Sequence, residues 1–566
     1  MMRKFKDIPY ERPDATKLEP RLKALIERFG AASSPQEQDG LMAEINTIRR
    51  QVDSMFALCQ IRHTVDTTND FYDKENEACD TLQPVFEGIQ TEYYRALLGS
   101  RFRHELEAKW GAQLFRKAEL QMKTFKPEVL EDLQAENRLS SEYVKLKAGA
   151  KILFEGQERN LPQMDPFFES TDRAMRRRAQ EAISGFYAAH GEDFDRIYDK
   201  LVKLRHGIAL KLGFPNFVPL AYARLARSDY DARMVANYRK QVLESIVPLA
   251  SALKRRQALR LGLPALKFHD EGLDFLTGNA TPKGDSTWIV ERARQMYAEM
   301  SPETDEFFTL MRERELMDLE TRKGKAGGGY CTFIATEGAP FIFSNFNGTS
   351  GDVDVLTHEA GHAFQCLRSA GYEVPEYNWP TLEACEIHSM SMEFFAWPWM
   401  GKFFGPDEDK YKFAHLAGAL TFIPYGVAVD EFQHWVYENP AAAVAERRAA
   451  WRGTERKYLP HRDFDGDTFL ENGGYWFRQG HIFESPFYYI DYTLAQVCAF
   501  EFWGRSRQDR AAAWTDYLKL CGLGGSLPFT ALVREAGLHD PFADGTIGRT
   551  LAPIEQWLGS IDDRRM

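Results

Sequence analysis

The sequence predicts a mainly α-helical fold with a small β-sheet beside one particular helix. Three observations predict it. Apolar residues recur at three- and four-residue intervals, with charged residues between them, along most of the chain. Glycine and proline are sparse through the N-terminal 20–160 stretch. The composition then shifts at 322–349, where glycine-rich and aromatic-apolar segments lead directly into "VLTHEAGHAF" at 355–364.

Taken in order, "RLKALIERFG" at 21–30 and the run from Gln113 to Gly156 carry helical periodicity. "GQERNLPQMDPFFESTD" at 156–172 collects polar residues and two prolines and reads as a connection. Helical patterns resume at Asp172 and continue to about 320. "RKGKAGGGYCTF" at 322–333 reads as a mobile loop and "APFIFSNFNGT" at 339–349 as a short strand. Helices return at 350–400 and from about 407 to 450, and "LPHRDFDGDTFLENGGYWF" at 459–477 is a loop-rich insert. The expected organisation is an N-terminal helical domain at 1–160, a larger second domain at 165–545 and a C-terminal tail at 546–566.

Bulk properties exclude several classes. The 566 residues are 44% hydrophobic and 27% charged, as in an ordinary globular protein. A net charge of −12 without a basic stripe argues against nucleic acid as a partner. The N-terminus lacks an apolar signal core, and no apolar run by inspection reaches membrane-spanning length, so no membrane partner is expected. Seven scattered cysteines with no CxxC pair fit a reducing cytoplasm.

"VLTHEAGHAF" carries the chemistry. Thr349 or Ser350 can cap a helix here, with Asp352 in its first turn. On that helix His358 and His362 lie one turn apart on one face, where two imidazoles can share a metal ion. Glu359 is rotated about 100 degrees from His358, beside such an ion rather than on it. The bland alternative is a helix that carries two histidines by coincidence. A third ligand would come from "WPTLEACEIHSMSMEFFAW" at 379–397, a second helix starting at Pro380 and Thr381. Glu386 and Glu393 are seven apart and share a face, and either can meet the metal; Glu383 is a weaker third candidate. With Glu386 as the ligand, Glu393 can orient a ligand histidine or form a plain ion pair.

These segments, followed by "RQGHIFESPFYYIDYTLAQ" at 478–496, resemble the thimet oligopeptidase and oligoendopeptidase F family of zinc metallopeptidases. The likeness is closer to the oligoendopeptidase F, or Pz-peptidase, branch. It spans roughly 165–545. "RKGKAGGGYCTF" resembles the family's glycine-rich loop, so Gly327, Gly328 and Gly329 would fold over substrate. One departure is "HEAGHAFQ", with alanine and glutamine where many members carry a bulkier residue and a further histidine. The resemblance implies two helical lobes around a deep channel that admits short unfolded peptides. It implies one zinc per chain on His358, His362 and Glu386, with Glu359 as general base. It also points to His481, Tyr489 and Tyr492 as donors to the developing oxyanion. The spacing leaves open whether Tyr488 or Tyr489 faces the zinc, and aromatics on a helix capped by Ser485 with Pro486 first can equally be core. "PFIFSNF" could pair with substrate or sit in the core. The expected activity is zinc-dependent endopeptidase, cutting short peptides in the cytoplasm, as a monomer or homodimer. An exo-acting peptidase and a non-catalytic metal-dependent peptide-binding protein are the alternatives.

Overall fold

The computed structural model of the chain describes residues 3–566. Helices dominate, as the periodicity predicts. The N-terminal region contributes α1 (Pro35–Val65), α2 (Asp70–Leu98) and α3 (Leu130–Ala148). Ser34 caps α1 by accepting from the Glu37 amide, with Pro35 at the first helical position. A small core of Leu25, Phe29, Met42, Ile45 and Tyr93 holds this region together and reaches Val374 and Tyr377 far along the chain. Much of the remaining apolar surface belongs to one larger core that already includes Leu58, Ile61 and Tyr143.

The start of the connection at 156–172 pairs with the residues just before it, which spacing did not suggest. Strands β1 (Ile152–Phe154) and β2 (Gln157–Arg159) form a hairpin in which Ile152 faces Arg159. The helical pattern also stops sooner than expected. The last helix before the sheet ends at Glu313, and β3 (Met317–Glu320) follows.

β4 (Tyr330–Ile334) and β5 (Ala339–Phe346) complete a three-stranded sheet in the order β3-β5-β4. β3 runs parallel to β5 and β4 antiparallel, with Tyr330 opposite Phe343 and Thr332 opposite Phe341. "PFIFSNF" is therefore the middle strand. Both its edges are hydrogen-bonded, so it has no free edge for a substrate. Its near-continuous burial fits a strand covered on both faces. The strand with an unpaired edge beside the motif is β4, half-buried along most of its length.

From the sheet the chain enters α4 (Gly351–Ser369), which carries the motif, and then α5 (Leu382–Phe395). Ser350 occupies the cap position of α4 without a side-chain bond. Asp352 supplies the acceptors instead, at 2.8 Å from the Asn347 amide and 2.9 Å from that of Gly348. α6 (Glu408–Glu438) is long, and Gly401–Glu438 is apolar enough by length and composition to cross a membrane. It is a core helix, with Leu416, Leu420, Ile423 and Val427 fully buried in the protein. The sequence disguises it because Asp430, Glu431 and the charged 408–412 stretch interrupt its apolar run.

α7 (Gly480–Glu484) and α8 (Tyr489–Ser506) follow the loop-rich insert. Ser485 ends α7 rather than starting α8, and Tyr488 holds the N-cap position of α8. The segment expected as a tail contains the helix Thr546–Ser560. Its Ile547, Leu551, Ile554 and Leu558 lie in the main core. All seven cysteines are free thiols.

Candidate active site

α4 and α5 approach closely because of one glycine. A methyl at Gly361 would sit 2.6 Å from the His388 carbonyl oxygen and 2.6 Å from Ser389 Cα. Glycine removes that obstacle, and the helices close until the motif histidines face Glu386. His358 Nε2 lies 3.1 Å from Glu386 Oε2, and His362 Nε2 lies 3.4 Å from the same oxygen. One ligand atom from each residue falls within 4.8 Å of the others. A tetrahedral ion with bonds of about 2.1 Å sets its ligand atoms about 3.4 Å apart. Two nitrogens and one carboxylate oxygen at this separation are therefore a fitting donor set for such an ion.

The two carboxylates that the spacing puts on one face divide the work. Glu386, 1% exposed, faces both histidines and also accepts from Ser389 Oγ at 2.9 Å. Burial would raise its pKa, but His362 and His358 outweigh burial and hold it well below the usual range. Glu393 accepts from His358 Nδ1 at 2.7 Å, which leaves Nε2 for the cluster. Its second oxygen accepts from His415 Nε2 at 2.8 Å, and Trp397 Nε1 donates to His415 Nδ1 at 3.1 Å. The indole can only donate, so it fixes the His415 tautomer. Glu383 turns toward Arg227 and Tyr230 instead, and burial pushes its carboxyl up to about 7.

Glu359 stands beside the cluster, 5% exposed. Its Oε2 has no hydrogen-bond partner in the protein. Burial raises its pKa, against the pull of His358 and His362. Gly329 leaves room for it, since a methyl there would come within 3.2 Å of Glu359 Oε1. Gly327, Gly328 and Gly329 all line the same cavity of about 650 Å³ as the three ligand candidates, and Gly328 takes φ +89. This loop is tied down. Asn345 Nδ2 donates to the carbonyls of Ala326 and Gly328 at 2.9 and 2.8 Å, and the Ala326 amide bonds the Thr64 carbonyl of α1 at 2.8 Å.

Of the two adjacent tyrosines, Tyr488 faces Glu386. Its hydroxyl donates to Glu386 Oε1. Tyr489 packs against Phe422 and Tyr425, 5.7 Å between ring centres in each case, and lines a neighbouring cavity. The turn before α8 explains the choice. Phe487 takes φ +68, a strained conformation for a bulky residue. Arg227 holds it by donating to the Phe487 carbonyl at 2.7 Å and to Asp491 at 2.5 Å, while Gln433 accepts from the Phe487 amide at 2.8 Å.

His481 and Tyr492 meet, Nε2 to Oη, at 3.0 Å. Gln479 Nε2 donates to His481 Nδ1 at 2.7 Å, and the Tyr425 hydroxyl donates to Gln479 Oε1 at 2.9 Å. The chain of donors leaves His481 Nε2 carrying the proton, so Tyr492 accepts from it and keeps its own hydrogen for the cavity. Burial lowers the His481 pKa to about 4, so the ring is neutral at physiological pH. No motif or spacing singles out His415, Trp397 or Tyr425. Only the "FRQGH" neighbourhood of Gln479 hints at that residue.

Comparison with known proteins places the chain in a family. Residues 5–125 match the model of the Peptidase M3 N-terminal domain, and residues 299–549 match that of Peptidase family M3. No curated protein matches the chain. A solved structure of Pz peptidase A with an inhibitor is 58% identical with a TM-score of 0.99, covering 99% of this chain and 100% of that one. A provisionally named oligoendopeptidase F from Bacillus anthracis str. Ames is 54% identical with a TM-score of 0.94, covering 100% and 99%. The oligoendopeptidase-F of Enterococcus faecium, 14% identical with a TM-score of 0.63, shares the fold. With both family models matched in order and more than half the residues shared with Pz peptidase A along the whole length, the chain belongs to peptidase family M3 and is a peptidase.

Proposed function

We propose that the protein is a zinc-dependent endopeptidase that cuts internal bonds of short oligopeptides. The observation that carries this is the donor set of His358, His362 and Glu386, spaced for one tetrahedral ion, with the partnerless carboxylate of Glu359 beside it in a peptide-sized cavity. His358, His362 and Glu386 would hold the zinc. When bound, zinc supplies a water of lowered pKa and polarises the substrate carbonyl.

In this reading the chain's own residues do the remaining work. Glu359 takes the water's proton as the water attacks the peptide carbonyl, then returns it to the leaving amine. Its raised pKa suits both halves of that task. Glu393, held by His415, keeps the His358 Nδ1 proton in place. Tyr492 offers its hydroxyl hydrogen to the developing oxyanion, and His481 anchors that hydroxyl from behind. Tyr488 is the second phenol at the cluster, in the place that the resemblance gives to Tyr489. The unpaired edge of β4 can bond an extended substrate backbone, as sheet edges do. Free cysteines throughout suit the reducing cytoplasm.

A quenched peptide blocked at both ends tests the reading. Internal cleavage is expected. Cleavage only of unblocked peptides would make the enzyme exo-acting, and binding without cleavage would make it a peptide-binding protein. On the same peptide Tyr492→Phe should lower kcat by about a hundredfold, the lower figure for loss of one oxyanion donor. KM and the melting temperature should stay close to wild type, because the donor acts on the transition state. Wild-type kcat in that variant would return Tyr492 to the role of a core aromatic.

A further inference from the structure

Two cations line the candidate active-site cavity without a direct ion-pair partner among the described residues. Lys147, in the last turn of α3, and Arg478 border the 650 Å³ cavity that contains His358, Glu359 and Glu386. Both also border an adjoining cavity of about 300 Å³. Lys147 Nζ donates to the Arg478 carbonyl at 3.0 Å and sits 5.2 Å from the Tyr143 ring centre. The Arg478 guanidinium stacks 4.1 Å from the Tyr475 ring centre, and its buried Nε has no partner. Among the described residues neither side chain forms an ion pair. Glu484 acts on Lys147, and Asp165 on Arg478, only through space. Burial draws the Lys147 pKa down to about 8, the mark of a cation short of counter-charge.

The first cavity also holds Glu359, Glu386 and Glu484, so its wall is mixed in charge. The cavity that shares Gln479, His481 and Tyr492 with the first is lined by Glu169, Glu271, Asp274, Asp354 and Glu393, with no lysine or arginine. Of the two cavities that meet at the His481–Tyr492 pair, only the first is bordered by a lysine or an arginine.

Unpaired charge in a partly buried wall is costly, and a guanidinium stacked by its face still presents its edge donors in a fork that matches a carboxylate. We propose that Lys147 and Arg478 form a carboxylate-binding subsite for the substrate peptide. The anion is either the peptide's C-terminal carboxylate or an acidic side chain. This rests on the peptidase reading above and specifies the substrates that the same site prefers.

Three quenched peptides built on one parent sequence test it. One ends in a free carboxyl; one is amidated and carries Glu in place of a Gln near the cleaved bond; one is amidated and neutral throughout. The wild-type enzyme should favour at least one carboxylate peptide over the neutral one by about tenfold or more in kcat/KM, the low end for a charge-assisted hydrogen bond. The favoured peptide identifies the source of the carboxylate. Lys147→Met keeps the apolar stem on Tyr143 and removes the charge, so the preference should shrink toward one. Lys147→Gln serves as a second variant if methionine disturbs the helix end. Equal kcat/KM for all three peptides in the wild type, or an undiminished preference in both variants, overturns the subsite. Cleavage of the neutral peptide reports on the peptidase reading separately. If no peptide is cut, fluorescence-anisotropy binding of the same three to the wild-type protein decides the subsite by the same ratio.

Discussion

Glu359→Gln is expected to lower turnover of a blocked quenched peptide by at least about a hundredfold, the lower end for general-base catalysis. Zinc content should stay at the wild-type level. The substitution keeps the size and shape of the side chain, so the close fit against Gly329 survives. Only the capacity to take a proton is lost. That capacity is what the surroundings favour: Oε2 has no hydrogen-bond partner in the protein, and burial raises the carboxyl pKa. KM should move little, since the carboxylate acts on the attacking water as the barrier is climbed. Loss of zinc in this variant would instead make Glu359 a ligand.

Glu386→Gln is expected to fail in a different way, by losing the metal. Glu386 is the common point of the cluster, within 3.4 Å of both histidine nitrogens and bonded by Ser389 and Tyr488. A neutral amide oxygen there gives up the charge that a dication requires. Zinc affinity should fall by more than the roughly 10–100-fold that loss of an outer partner costs, the range expected for Glu393→Gln. The two variants separate the roles of two carboxylates that lie seven residues apart on one helix. Equal losses in both would mean that Glu386 is not a direct ligand. Competition with a chromophoric chelator measures both affinities.

The part of the site legible in the sequence was the part encoded locally. His358, Glu359 and His362 fall on one helix, so helix geometry alone brought them together. Glu386 needed only a second helix packed against the first, and Gly361 supplied the close approach. The Tyr488–Tyr489 choice was not legible. It depends on a strained turn at Phe487 that Arg227 and Gln433 stabilise from distant parts of the chain. His415, Trp397 and Tyr425 were hidden for the same reason: each joins the site only when α5, α6 and the segment before α7 pack together. The sheet order was equally out of reach. "PFIFSNF" was recognisable as a strand, but its place in the middle is set by β3, a four-residue strand inside a pattern that reads as helical. The closing helix at Thr546–Ser560 was missed because its apolar residues only reveal their purpose once the main core is there to receive them.

The proposed activity depends on one zinc held by His358, His362 and Glu386. Its most direct test is titration of metal-free protein with zinc while cleavage of the doubly blocked peptide is followed. Turnover should be absent at the start, rise linearly and break at one zinc per chain, with Glu359→Gln binding the same single equivalent and staying inactive. Full activity in the metal-free protein would contradict that dependence.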